Sequence, residues 1–180
     1  MKRKFSKNDI LKYLKEINKK LSERGKCGEV MLCGGAVLTL MYEARNSTFD
    51  IDAILKPRDD LKEIIDEISR ENNLTSQWLN DDVSIFTKEF KNLTYSEYLQ
   101  LSNLTIRVLD AESLLAMKLV SAREKTYDLS DAVILMGYLK INNIEEVYAI
   151  FEKYKFPLHQ TALSESMNFA EQAFNEYMKK

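Results

Sequence analysis

The stretch from Glu29 to Cys33 is a short apolar run that ends on two adjacent glycines, Gly34 and Gly35, and Ala36 to Glu43 then carries the spacing of a helix. Phe49 to Leu55 follows with strand-like alternation. Strand, glycine turn, helix and strand in such close succession constrain the chain to a layered mixture of sheet and helix. The turn also has a chemical consequence. Glycines at a helix start leave backbone N–H groups bare where a Cβ would obstruct approach, and the positive helix end favours an anion such as phosphate.

Around this unit the remaining periodicities are mostly helical. Ile10, Leu11, Tyr13, Leu14, Ile17 and Leu21 recur at helical spacing with Lys and Glu between them, which predicts an amphipathic helix capped by Ser6 or Asn8 and ending near Gly25. Pro57 stands where a helix can begin, and Leu61, Ile64, Ile65 and Ile68 form its apolar face. Val83 to Thr87 and Leu104 to Leu109 read as strands, with a less distinct one near Tyr95 to Leu101. From Ala111 onward the pattern is helical, with breaks around Lys125 to Tyr127, Asn142-Asn143 and Phe156-Pro157. The expected fold is α/β (α+β): residues 1–110 form a mixed-sheet lobe with an N-terminal helix, and residues 111–180 form a helical region packed on it as one compact unit.

Composition narrows the classes of function. A chain of 180 residues, 45% of them hydrophobic, is large enough to bury a core. No run approaches the roughly 20 apolar residues that span a bilayer, and the basic start, Met1 to Lys4, is followed by no apolar signal core. The expectation is a cytoplasmic protein with no membrane association. Cys27, Cys33 and His159 make neither a metal-ligand pattern nor a disulfide framework, and His159 beside Pro157 is not expected to act in catalysis. A net charge of −2 lacks the basic excess that would point to nucleic acid, and it does not exclude a local basic patch.

Asp50-Ile51-Asp52 is the constellation with the clearest chemistry. Strand side chains alternate, so Asp50 and Asp52 share a face about 7 Å apart, with Phe49, Ile51 and Ala53 on the other. Two carboxylates so close repel unless a cation lies between them. Hard carboxylate oxygens, completed by triphosphate oxygens and water, are what Mg²⁺ accepts.

An apolar strand, Gly-Gly, a helix and then D-x-D on the next strand resembles the nucleotidyltransferase superfamily. Here the pattern is Leu32-Cys33-Gly34-Gly35, fourteen intervening residues, and Asp50-Ile51-Asp52. Arg45-Asn46-Ser47-Thr48-Phe49-Asp50-Ile51-Asp52, Trp78-Leu79-Asn80-Asp81 and Leu114-Leu115-Ala116-Met117-Lys118-Leu119 look like small bacterial members related to the AbiEii type of abortive-infection toxin. The resemblance, which spans roughly Val30 to Leu139, implies a nucleotidyltransferase-type sheet lobe in which Asp50 and Asp52 are catalytic and bind Mg²⁺. It places Gly34, Gly35 and Thr48 near a nucleoside triphosphate. A third carboxylate is common in the superfamily. Asp110 and Asp82 are its candidates here, and Asp110 reads better as the N-cap of the helix at Ala111.

Lys118 stands on an apolar helix face, with Leu114, Leu115, Ser121 and Ala122 as its neighbours at three and four residues. Its ammonium must reach water, a carboxylate or a phosphate. AbiEii-like toxins carry a lysine in a similar helix, followed by R-x-K and D-x-x-D, here Arg123-Glu124-Lys125 and Asp128-Leu129-Ser130-Asp131. That likeness implies a catalytic triphosphate contact for Lys118, supported by Arg123, Asp128 and Asp131. By helical spacing alone, Asp128 or Asp131 turns inward to hold Lys118 or Arg123, or makes an ordinary ion pair or cap.

Three acceptors are compatible with transfer of a nucleoside monophosphate: an RNA 3′ end such as that of a tRNA, a protein hydroxyl, or a small molecule. An RNA acceptor would call on a basic surface around Lys88, Lys91 and Lys125. The toxin likeness further implies an antitoxin protein as partner. The competing expectation is a catalytically idle nucleotidyltransferase scaffold that binds a partner or nucleotide.

Overall fold

A computed structural model describes residues 3–42, 44–121, 127–154 and 156–180. In chain order its elements are β1 (Phe5–Ser6), α1 (Lys7–Glu23), β2 (Gly28–Leu32), α2 (Gly34–Met41), β3 (Ser47–Thr48), β4 (Ile51–Lys56), α3 (Arg58–Glu71), β5 (Leu79–Asn80), α4 (Val83–Glu89), β6 (Tyr95–Gln100) and β7 (Leu104–Leu109). The helices α5 (Ala111–Ser121), α6 (Asp128–Leu139), α7 (Ile144–Tyr154) and α8 (Gln160–Tyr177) complete it. The fold is mixed α/β with a helical C-terminal half. The chain divides into two compact units, Met1–Ile85 with Tyr95–Leu109, and Phe86–Thr94 with Asp110–Lys180.

The first unit is built on a five-stranded sheet of order β5-β4-β2-β7-β6. Strand β2 runs antiparallel to β4 and parallel to β7, β5 is parallel to β4, and β6 is antiparallel to β7. Alternation decides the faces. Val30, Leu32, Ile51, Ala53, Leu104 and Ile106 are fully buried, while Glu29, Met31, Asp52, Ile54, Thr105 and Arg107 between them are half-exposed. Glu29 on the second face sits between Arg107 Nε at 2.6 Å and Lys56 Nζ at 3.5 Å.

Helices α1 and α3 pack on each other, α3 against β4 and α1 against β7. The apolar stripe of α1 is the one its spacing predicts, with Ile10, Tyr13, Leu14, Ile17 and Leu21 buried. Ser6 starts the helix through a capping box: its Oγ accepts the Asp9 N–H at 3.2 Å, and Asp9 Oδ2 accepts the Ser6 N–H at 3.0 Å. Truncating one of the central stripe residues, such as Ile17→Ala, would cost about 2–5 kcal/mol.

Trp78 is core, as its apolar neighbours imply. Its ring lies 5.0 Å from Tyr13 and 6.0 Å from Phe5, its indole N–H donates to the Ile65 carbonyl at 3.3 Å, and its own carbonyl accepts the Ile51 N–H at 2.9 Å. That anchorage fixes where β5 meets β4.

In the second unit α5 packs against α6, α7 and α8. Ser113 Oγ accepts the Thr94 N–H at 3.0 Å and lies 3.2 Å from the Tyr154 hydroxyl, while the Lys91 N–H donates to the Tyr154 carbonyl at 2.9 Å. These bonds fasten the segment after α4 to the helices α5 and α7. A cavity of about 330 Å³ inside this unit is lined by apolar side chains that include Phe90, Val120, Ile150, Phe156 and Leu163. Among the described residues no helix is long and apolar enough to cross a membrane.

Two sequence expectations are corrected. Val83 to Thr87 is the helix α4, not a strand. Phe86 and Phe90, four residues apart, place their rings 5.1 Å from each other and 5.1 and 4.6 Å from Phe156, and this helical pairing overrides the apparent two-residue alternation, which leaves Ile85 exposed. Phe49 does not join the core face of β4. The strand begins only at Ile51, and Phe49 is 37% exposed with Lys4 Nζ 5.0 Å from its ring.

Candidate functional site

The turn between β2 and α2 closes directly on β4. Cys33 is extended, its N–H donates to the Asp52 carbonyl at 2.8 Å, and Gly34 then takes φ +58°, a left-handed conformation that only glycine adopts without strain. A Cβ on Gly34 would lie 2.8 Å from Oδ2 of Asp52, and one on Gly35 would lie 2.5 Å from Oγ1 of Thr48 and 3.2 Å from Nη1 of Arg45. The glycines therefore have an internal reason as well as any external one. They let a carboxylate, a buried hydroxyl and a guanidinium come up against the first turn of α2.

Thr48 is placed there by a two-stranded ribbon in which β3 pairs antiparallel with β1, Thr48 opposite Phe5. Asp52 is placed by β4, on the half-exposed face, and Asn80 stands beside it on β5. Asn80 Nδ2 donates to Asp52 Oδ1 at 3.3 Å. Asp50 precedes the first residue of β4 and is half-exposed. Beyond Asn80, Arg58 and Asp81 form an ion pair, and the guanidinium holds the Asp81 carboxyl below the usual carboxylate range. Arg58, Lys62, Asn80 and Asp81 line a small cavity of about 170 Å³.

Under the glycine turn, the Cys33 thiol is buried and lies 3.7 Å from the Tyr95 hydroxyl. Burial pushes the thiol up to about 12, and the nearby Asp52 charge works in the same direction. The Tyr95 phenol is also raised, first by its own burial and then by Cys33. Both groups stay protonated at neutral pH, and neither is a nucleophile there.

Residues 9–180 match the family DUF6036, described as a nucleotidyltransferase of unknown function. The chain belongs to this nucleotidyltransferase family. Comparison with curated proteins and with solved structures finds no significant match.

Within this family member the structure joins Gly34 to Asp52 and Gly35 to Thr48, as residues of one corner. It also joins Lys118 to Asp128 and Asp131, inside the helical unit: Lys118 Nζ lies 2.6 Å from Asp128 Oδ1 and 3.0 Å from Asp131 Oδ2. Asp131 is 1% exposed. One ammonium faces two carboxylates there, so these three side chains together are not a cationic patch. Arg123 lies outside the described residues.

The candidates for a third acid do other things. Asp110 Oδ1 accepts the Ser113 N–H at 2.7 Å and caps α5, and the Asp82 side chain is exposed. Among the described residues no three His, Cys, Asp or Glu side chains converge as a metal-ligand group. Hard oxygens from Asp50 and Asp52 still suit Mg²⁺, which usually keeps water and substrate oxygens in most of its positions.

Arg45 and Asn80 are the residues that sequence reasoning did not single out. Asn80 is brought to Asp52 by strand pairing across 28 residues, and its place in the Trp78-Leu79-Asn80-Asp81 stretch does not by itself signal that contact. Arg45 carried a faint signal, a cation three residues before Thr48 in the approach to the carboxylates.

Proposed function

We propose that this chain transfers a nucleoside monophosphate from a nucleoside triphosphate to an acceptor hydroxyl at the corner formed by Gly34, Gly35 and Asp52. The observation that carries this reading is the closeness of the glycine turn to the carboxylate. An anion held by helix-start amides and a cation held by Asp52 would be neighbours, which is what a metal-bound triphosphate requires.

In this reading Asp50 and Asp52 hold Mg²⁺, which when bound neutralises triphosphate charge and makes the α-phosphorus more electrophilic. The amides of Gly34 and Gly35 donate to phosphate oxygens, with the Thr48 hydroxyl and the Arg45 guanidinium beside them. The acceptor oxygen forms a bond to the α-phosphorus as the bond to the β-phosphate bridging oxygen breaks. Pyrophosphate leaves, and the hydroxyl proton passes to a carboxylate, for which Asp52 is the candidate. Most of the rate comes from positioning and charge neutralisation. For Lys118 we propose the triphosphate contact implied by the AbiEii likeness, with Asp128 and Asp131 orienting its ammonium.

The acceptor we favour is an RNA 3′ end, in a toxin whose partner is an antitoxin. The support is the AbiEii-like sequence pattern together with exposed Lys88 and Lys91; Lys125 lies outside the described residues. A protein hydroxyl and a small molecule are the alternatives. A catalytically idle scaffold is favoured by one observation, that Asp110 is committed to capping α5 and no third acid joins Asp52 among the described residues.

Incubation with Mg²⁺ and each α-labelled nucleoside triphosphate, with total RNA, cell protein or no acceptor, tests this. Label entering the RNA pool with the wild type but not with Asp50→Asn/Asp52→Asn is the expected result, with yield falling steeply as salt rises. Label in the protein pool or in a small molecule would reassign the acceptor. Nucleotide binding without transfer to any pool would establish the scaffold instead.

A further inference from the structure

Asp52 and Asn80 stand in register on the neighbouring parallel strands β4 and β5. What the Asn80 amide meets determines which way round it sits. The backbone N–H of Asp82 can only donate, so the Asn80 atom 3.2 Å from it is the carbonyl oxygen Oδ1. The NH₂ end is thereby aimed at Asp52, where Nδ2 donates to Oδ1 at 3.3 Å. The other carboxylate oxygen, Oδ2, lies over Gly34.

The strand that carries the amide is itself held on both sides. Before it, the Trp78 carbonyl accepts the Ile51 N–H at 2.9 Å and the buried indole donates to Ile65. After it, Asp81 is paired with Arg58, whose Nη2 lies 3.3 Å from Asp81 Oδ1. A side chain gripped at its own oxygen, on a strand gripped at both ends, has little freedom to turn away from Asp52.

Resting on the reading above in which Asp52 is a metal ligand, we propose that Asn80 is the positioning residue of that ligand. Its amide pins Oδ1 and fixes the plane of the carboxylate, whose Oδ2 lies on the side of the glycine turn. The residue type follows from the task. A carboxylate at this place would repel Asp52, an apolar side chain would let it rotate, and a lysine would compete with the cation. A neutral donor orients the ligand while preserving its charge. Partners of this kind typically change metal affinity by about 10–100-fold when removed.

Asn80→Ser separates the two bonds. A serine hydroxyl can still accept the N–H two residues on, as in an ST-turn, but is too short to reach Asp52. Mn²⁺ binding to the full chain without nucleotide, because ATP itself takes up free Mn²⁺, followed by loss of the free-ion EPR signal, is the measurement. It is made on wild type, Asn80→Ser, Asn80→Ala, Asn80→Gln and Asp52→Asn, each with its metal-free melting temperature. The expected result is roughly tenfold weaker Mn²⁺ binding in Asn80→Ser and Asn80→Ala with near wild-type melting of Asn80→Ser, partial recovery in Asn80→Gln, and loss of binding in Asp52→Asn. Wild-type affinity in Asn80→Ser, with binding lost in Asp52→Asn, would overturn the positioning role alone. Wild-type affinity in Asp52→Asn would remove the metal reading, and the positioning role with it.

Discussion

The Cα of Gly34 and the carboxylate of Asp52 are packed so closely that a single added methyl group would lie 2.8 Å from Oδ2. The glycine turn and the D-x-D strand are thus one structural object, although sixteen residues separate Gly35 from Asp52 in the chain. Any substitution at the turn acts on the carboxylate, and the converse holds.

Gly34→Ala should therefore be doubly unfavourable. It places a Cβ at φ +58°, a conformation that costs about 1–2 kcal/mol for a residue with a side chain, and it displaces Asp52. The nearest atoms that Gly35→Ala would meet belong to the side chains of Thr48 and Arg45, and Thr48→Ala removes the closest of them. In a double-mutant cycle, Gly35→Ala should be less harmful to melting temperature in the Thr48→Ala background than alone, whereas Thr48→Ala should give Gly34→Ala no relief.

The helical unit should depend on Lys118 for stability. Its side chain is only 14% exposed, and its ammonium faces both Asp128 and Asp131. Lys118→Met should cost about 3 kcal/mol in chemical denaturation, and adding Asp131→Asn should return part of that. A loss of catalysis in a Lys118 variant is therefore interpretable only beside its unfolding curve.

Capping gives a pH signature. The Asp9 carboxyl is held below its ordinary value of 3.8, first by the Ser6 hydroxyl and then by the Ser6 backbone N–H. A depressed carboxylate contributes stability that is present above its ordinary value and is lost as pH falls through the lower folded value. Ser6→Ala should cost about 1 kcal/mol at neutral pH, and the gap from wild type should narrow below pH 3.8.

The two thiols should behave oppositely. Cys27 is exposed and Cys33 is buried with its thiol pushed from 9.0 up to about 12. An aromatic disulfide reagent at pH 8 should label Cys27 in the native chain and reach Cys33 only on unfolding. A thiol raised in the fold contributes stability that is intact below 9.0 and declines as pH climbs towards 12, so alkaline unfolding should be eased in the wild type relative to Cys33→Ala.

Much of the first unit was legible because burial there follows alternation. Val30 with Leu32 and Ile51 with Ala53 mark the core face, and the complementary positions bring Asp52 to the open one. Helices α1 and α3 were legible from their apolar stripes, and the Ser6 cap from its residue type. Two kinds of feature were not. Two-residue strands such as β1 and β3 have no period to read, yet their pairing buries Thr48 against Gly35. Contacts made by strand pairing, such as Asn80 with Asp52, depend on register between distant segments, which periodicity does not encode. At α4 both periods were present in Val83 to Phe90, and the aromatic pair of Phe86 and Phe90 with Phe156 decided between them.

In the proposed function the Gly34-Gly35 turn and the carboxylates of Asp50 and Asp52 make one site for a metal-bound triphosphate. Thermal unfolding tests it without knowledge of the acceptor, because a ligand bound only by the folded chain at about 100 times its dissociation constant adds about 2.7 kcal/mol of stability. With Mg²⁺ and a nucleoside triphosphate together, the wild type should melt several degrees higher than with either alone, and Asp50→Asn/Asp52→Asn should show no such rise. An equal rise in the double variant would mean that these carboxylates do not hold the metal of a bound triphosphate.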